Sequence, residues 1–185
     1  MKRVVTRARP QDNEHACVLF DCHSLSCALP VDSVVGMLSA QEARLSTVPA
    51  AKAERAAEHE DGCDHAVLEF GGERFATWDL GHMLELPSLT QAWILLSVPH
   101  RGTDVPLALR TGRYRLSKLP RLEVALPEAL FRQRRAAFRT AFVIDEAPGS
   151  DSPLIGLGLN TAALWTKEEL DASSSRLRLA EKGGA

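Results

Sequence analysis

Apolar and polar positions alternate with a period of two through two paired stretches of this chain. The clearer one is Val67-Leu68-Glu69-Phe70-Gly71-Gly72-Glu73-Arg74-Phe75-Ala76-Thr77-Trp78-Asp79-Leu80, two short apolar runs joined across a Gly-Gly turn. The other runs Cys17-Val18-Leu19-Phe20, breaks at Asp21-Cys22-His23, and resumes as Leu25-Ser26-Cys27-Ala28-Leu29-Pro30-Val31. Alternation of this kind, turning at Gly or at Asp/Ser clusters, predicts hairpins with one buried face, and a small antiparallel β-barrel as their setting.

The same reading places strands at 16–21 and 24–30, a hairpin over 66–79, and a second β-rich half. That half starts with Ala92-Trp93-Ile94-Leu95-Leu96-Ser97-Val98, turns through 99–104 and returns as Val105-Pro106-Leu107-Ala108-Leu109. Further strands are expected at 113–117, 121–125, 140–146 and 154–159. Pro30 ends the second strand, after which Val31, Val34, Val35 and Leu38 have the i, i+3, i+4, i+7 spacing of a short helix. Leu80 to Leu86 reads as a helical turn stopped by Pro87, and Asn160-Thr161 as the cap of a helix through Leu164, Trp165 and Leu170.

Three segments lack a pattern that would bury them. Residues 1–14 are charged and Pro-interrupted and read as a flexible arm, while 172–185 is Ser- and Gly-rich and reads as a frayed tail. Residues 39–65 form a polar insertion, Ala-, Glu- and Lys/Arg-rich, with helix propensity in Ala50 to Glu58 but almost no large apolar residue. The domain is then 15–171, divided into lobes of about 31–91 and 15–30 plus 92–171.

With 185 residues and 45% apolar content the chain can bury a full core, as one domain or as two closely packed lobes. A formal net charge of −2 gives no electrostatic reason to expect nucleic acid or an anionic membrane as partner. The basic first residues precede no apolar h-region, and no stretch reaches the ~18 residues of a membrane span, so a cytoplasmic protein is expected. Its four cysteines, at 17, 22, 27 and 63, would stay reduced there, with Cys17 and Cys27 serving as small apolar strand residues.

Candidate chemistry is sparse. His59-Glu60-Asp61-Gly62-Cys63-Asp64-His65 could in principle hold zinc, but there is no second ligand pair at finger-like spacing, and a polar connector explains the cluster better. The six histidines are scattered over turns and element ends. No nucleophile elbow, phosphate loop or His-Glu-x-x-His occurs. Gly156-Leu157-Gly158 lacks the third glycine and the helix of a dinucleotide loop and reads as a strand. Nothing specific supports an enzyme, a metal or a cofactor. Arg132-Gln133-Arg134-Arg135 and Arg139, interleaved with Phe131 and Phe138, read either as a face for an acidic partner or as a solvated connector with buried phenylalanines. Trp78, Trp93 and Trp165 are expected in the core.

The order of four short motifs resembles CheW-like domains, the adaptor family of bacterial chemosensory arrays. They are Ala28-Leu29-Pro30, Val31-Asp32-Ser33-Val34-Val35, Trp78-Asp79-Leu80 and Met83-Leu84-Glu85-Leu86-Pro87. The resemblance spans roughly 16–171 and implies two five-stranded SH3-like barrels packed around a shared core, with short helices and a C-terminal helix. It implies a non-catalytic adaptor that couples methyl-accepting chemoreceptor tips to the regulatory domain of a CheA-type histidine kinase. The kinase would be bound barrel edge to barrel edge, and the receptor helices in a groove between the lobes. It would need no cofactor, insert in no membrane and be recruited to membrane-associated receptor arrays.

Carried onto this sequence, the resemblance places partner-binding positions at Val34, Gly36, Glu69, Phe70, Gly71, Gly72, Asp79 and Arg110. The family's Asn-Leu-Arg-Gly turn falls on Glu69-Phe70-Gly71-Gly72, where only Gly72 matches. Gly36 stands where a Glu is common, and Leu109-Arg110 where the family has Val-Asp. These departures leave two functional expectations open: an adaptor joining receptor and kinase, or a CheW-like interaction module reused for another partner in a motility or regulatory complex.

Overall fold

Among the described residues, strand pairing makes two sheets of six strands each. The computed structural model describes residues 16–47, 66–118, 122–126, 138–144 and 154–183. The first sheet contains β1 (Ala16–Cys22), β2 (Leu25–Pro30), β9 (Tyr114–Lys118), β10 (Leu122–Ala125), β11 (Phe138–Ile144) and β12 (Leu154–Leu159), in the order β10-β11-β12-β2-β1-β9. The second contains β3 (Val34–Ser39), β4 (Arg44–Thr47), β5 (Ala66–Phe70), β6 (Glu73–Asp79), β7 (Ala92–His100) and β8 (Thr103–Thr111), in the order β3-β7-β8-β6-β5-β4. Each sheet has one parallel pair, β12 with β2 and β6 with β8, among otherwise antiparallel neighbours. The chain is mainly β, as the alternation implies, and forms two lobes, as the CheW-like resemblance implies.

Alternation also explains how one core serves both lobes. On β1, Val18, Phe20 and Cys22 join the largest apolar cluster, which lies between the sheets and takes in Ile94 and Leu96 of β7 and Leu107 and Leu109 of β8. The intervening Cys17 and Leu19 face the other way, onto Ala28 and Phe142. The second sheet has its own inner cluster of Leu38, Leu68, Phe75, Trp93, Leu95 and Ala108. This sheet curls: a Cβ placed on Gly36, in the terminal strand β3, would lie 3.4 Å from the ring of Phe70 in β5, near the opposite end of the strand order. Gly156 is likewise a packing residue, because a Cβ there would collide with the ring of Phe142 on the neighbouring strand. That accounts for Gly156-Leu157-Gly158 as strand, as the sequence suggests.

The helix expected over 31–38 is a correction. Val31–Ser33 makes only a 3-10 turn, and Val34–Ser39 pairs antiparallel with β7. A register shift between Val34 and Gly36 puts Val34 and Met37 on the shared core and Leu38 in the inner cluster. A bulge therefore produced the i, i+3 spacing that imitates a helix. The lobe division shifts as well. β7 and β8 belong to the second sheet, which spans 34–111, so the first sheet consists of 16–30 and 114–159. Of the polar insertion, β4 (Arg44–Thr47) pairs with β5. Residues 48–65, the arm 1–14 and the Arg132–Arg135 run lie outside the described residues, as does the His59–His65 cluster.

The expected frayed tail is instead helix. After α1 (Leu80–Met83) and α2 (Thr161–Leu164), α3 runs over Lys167–Gly183. It starts at a reciprocal capping pair: the Glu169 carboxylate accepts from the Thr166 backbone N–H at 2.6 Å, and the Glu169 N–H donates to Thr166 Oγ1 at 3.2 Å. Leu170, Ser173, Arg176 and Leu177 are all buried on the face turned to β6 and β8. The Trp78 indole N–H donates to Ser173 Oγ at 3.1 Å, and the Ser173 hydroxyl donates to the Glu169 carbonyl at 2.8 Å. The Arg176 guanidinium lies 5.4 Å from the Trp78 ring centre, and Trp165 meets Trp78 edge-on at 6.5 Å. Trp78, Trp93 and Trp165 are core residues, as expected.

Cys17, Cys22 and Cys27 are all buried. Burial, with the Asp79 carboxylate adding to it, raises the Cys22 thiol to about 11, and burial first and Cys22 second raise Cys27 further. At pH 8 roughly a thousandth of Cys22 would be thiolate, the reactive form. Native protein treated with iodoacetamide should leave these three unmodified by peptide mass mapping, and brief urea exposure should make them react. Labelling of Cys22 or Cys27 at native rates would contradict the packing described.

Candidate interaction surfaces

The eight positions singled out from the sequence are distributed over four places. Val34 is half-buried against the shared core, at the margin between the lobes. Gly36 and Phe70 meet across the curl of the second sheet, and Phe70 packs on its inner cluster. Phe70 is half-buried on that cluster, so a charge placed there would test stability as well as binding.

Asp79 and Arg110 are partners of each other. They are in register at the end of the parallel β6–β8 pair. Arg110 Nε donates to Asp79 Oδ2 at 2.9 Å, and Nη2 makes a second bond to the same oxygen. Asp79 Oδ1 accepts the His82 N–H at 3.1 Å and so caps α1. Burial, the largest single influence, pushes the Asp79 carboxyl up. The Ser88 and Arg110 hydrogen bonds, the His82 N–H and the Arg110 charge together outweigh it and hold the group below the usual carboxylate range. The reversed charge at Arg110 thus has a structural role.

Glu69, Gly71 and Gly72 lie with Phe70 along a groove of about 950 Å³ between the β5–β6 turn, the start of β8 and α3. The turn is tight because Gly71 and Gly72 adopt φ of 62° and 88°, which side chains disfavour. Glu69 is neutralised across the hairpin by Arg74 at 3.1 Å. The opposite wall, Leu177 and Glu181 of α3, was not anticipated because the tail reads as polar. Asp171 fastens α3 to the β7–β8 turn, bonding His100 Nε2 at 2.8 Å and Arg101 at 2.6 Å. The His100 hydrogen bond, opposed by desolvation and aided by the Arg101 charge, holds the Asp171 carboxyl below its usual range.

Sequence reading also missed an uncovered apolar face. Registers align Val124, Ala141 and Leu157 across β10, β11 and β12, and likewise Leu122, Val143 and Ile155. Val124, Ala141, Val143, Ile155 and Leu157 therefore share one face of the first sheet. Leu157 on that face packs into the core between the sheets, yet Ile155 is 69% and Val124 53% exposed. The apolar face that meets the second lobe thus continues past it into solvent.

This arrangement has a solved counterpart. The crystal structure of the scaffolding protein TtCheW from Thermoanaerobacter tengcongensis superposes with a TM-score of 0.56 over 81% of this chain and 91% of that chain, at 10% sequence identity. The fold is CheW-like. No protein-family profile matches the sequence, and no curated protein matches it either. The CheW-like resemblance of the ordered motifs thus holds at the level of fold. Among the described residues no helix is long and apolar enough to cross a membrane, and no group of three or more His, Cys, Asp or Glu is placed to hold a metal ion.

Proposed function

We propose that this chain is a non-catalytic adaptor of a bacterial chemosensory pathway, coupling chemoreceptor tips to a CheA-type histidine kinase in the cytoplasm. The observation that carries the reading is the exposed apolar face at Val124 and Ile155, continuous with the core between the lobes. A helix presenting apolar side chains at i, i+3 and i+4 could extend that core, as a groove-bound helical partner does. The CheW-like fold supports the same reading.

The test uses a purified receptor tip fragment and a kinase regulatory domain. Ile155→Glu sits at an exposed position and should leave the urea midpoint unchanged while weakening receptor binding by more than about tenfold, or about 1.4 kcal/mol. Kinase binding should persist. Receptor affinity unaffected by Ile155→Glu would remove the groove from the proposal.

A second reading has its own support. Gly36 and Gly71 stand where the resemblance has a Glu and an Arg, and the space beside Gly36 is taken by the Phe70 ring and Leu95. A CheW-like module that has lost these charges could serve another partner in a motility or regulatory complex. If neither array partner binds the unmodified protein at tens of micromolar, about −6 kcal/mol, this second reading replaces the first.

A further inference from the structure

The groove between the β5–β6 turn and α3 joins an apolar floor to an acidic rim. Phe70, Val105, Pro106 and Leu177 make the floor, and five carboxylates against three guanidinium groups give the lining a net charge of −2. Glu69 is paired with Arg74, whereas Glu73, Asp104 and Glu181, all exposed, have no ion-pair partner among the described residues. Such a lining fits an occupant that is basic and carries a short apolar run.

The chain carries such a segment itself. Residues 1–11, Met-Lys-Arg-Val-Val-Thr-Arg-Ala-Arg-Pro-Gln, hold four cations, no carboxylate and the apolar pair Val4-Val5. The Arg132–Arg135 run is also basic, but it is held at both ends by β10 and β11 of the first sheet. Residues 1–11 are anchored only through β1. The Gly112 N–H donates to the Asp21 carbonyl at 2.7 Å, so the end of β1 meets the end of β8, and the groove opens at the start of β8. At about 3.3 Å per strand residue, that path puts Ala16 at most about 50 Å from Asp104. Fifteen extended residues span about the same distance.

We propose that residues 1–11 occupy this groove on their own molecule. Val4 and Val5 would lie over Phe70, Val105 and Leu177, and the cations would face Glu73, Asp104 and Glu181. Tethering supplies an effective concentration on the order of 1 mM, so a contact with a Kd of about 100 µM as a separate peptide would be formed about nine-tenths of the time in the intact chain. The groove is then a site for basic segments that the protein itself keeps filled, and a partner enters only with a segment that binds more tightly. Charge at the rim makes the contact sensitive to salt. This inference rests neither on the exposed face at Val124 and Ile155 nor on receptor or kinase binding.

Fluorescence anisotropy of a labelled peptide of residues 1–11 tests it on the full chain, in about 20 mM salt. The receiving protein is a full-length variant with Lys2, Arg3, Arg7 and Arg9 all changed to Gln, which leaves the groove vacant. It is expected to bind the peptide with a Kd of about 100 µM, and the unmodified chain, whose own segment competes, about tenfold more weakly. In the Gln variant, Asp104→Lys and Glu181→Lys should each weaken binding at least about fivefold, as should about 0.5 M salt. Both positions are exposed, so thermal melts should match those of the unmodified protein. Glu168→Lys, at an exposed carboxylate outside the groove, should leave binding unchanged. A peptide that does not bind the Gln variant at about 1 mM protein would overturn the proposal. So would equal binding to the unmodified chain, or a loss with Glu168→Lys as large as with Asp104→Lys.

Discussion

Replacing Arg110 by leucine is expected to destabilise the fold by about 3 kcal/mol at pH 7, because it leaves the Asp79 carboxylate buried without its countercharge. Asp79→Asn should cost less, since an amide oxygen still accepts the His82 N–H and Arg110 can turn toward solvent. The effect depends on pH in a definite direction. The folded Asp79 pKa lies below that of an unfolded aspartate, about 3.9, so its stabilisation is present above about pH 4. It is lost as pH falls through the folded value. In Arg110→Leu the carboxyl can protonate at little cost in acid, so the gap between variant and unmodified protein should be widest near neutrality and narrow toward about pH 3.5. Urea melts at the two pH values measure it. A gap that widens in acid would show that the pair does not stabilise the folded state.

Ending the chain before Lys167 should cost on the order of 5 kcal/mol, comparable to the whole stability of many domains. The loss combines the buried Leu170 and Leu177 with the exposure of Trp78, whose indole N–H also loses Ser173. Should the shortened chain not accumulate in soluble form, Leu170→Ala in the full chain should lower stability by about 2 kcal/mol. Shortened protein melting within about 1 kcal/mol of the full chain would mean that α3 only decorates the second lobe. Trp78 fluorescence should shift to the red on removal of α3, because the ring then meets water.

The α3 result shows where sequence reading stops. The helix start is legible: Thr166-Lys167-Glu168-Glu169 is a capping box, six residues beyond the apparent cap at Asn160. Its buried face was not legible, because Ser173 and Arg176 count as polar until Trp78 is known to receive them. Similarly, the spacing of Val31, Val34, Val35 and Leu38 contains no sign of the bulge that explains it. Among the candidate residues, the turn at Gly71-Gly72 stands where the sequence places it, but Asp79 and Arg110 turn out to hold each other.

By itself the sequence determined the hairpins, the sites of most of the strands though not of β3 and β4, the core tryptophans and the mainly β class, because a strand's two faces and its turn residues are local properties of the chain. The tertiary structure decided which strands share a sheet, so that β7 and β8 joined the second and not the first. It also decided that Phe70 lies over Gly36, that α3 covers Trp78, and that Val124 and Ile155 stay in water while Leu157 beside them is covered. Pairing and covering depend on residues far apart in the chain, and periodicity reports which side of an element is apolar without reporting what meets it.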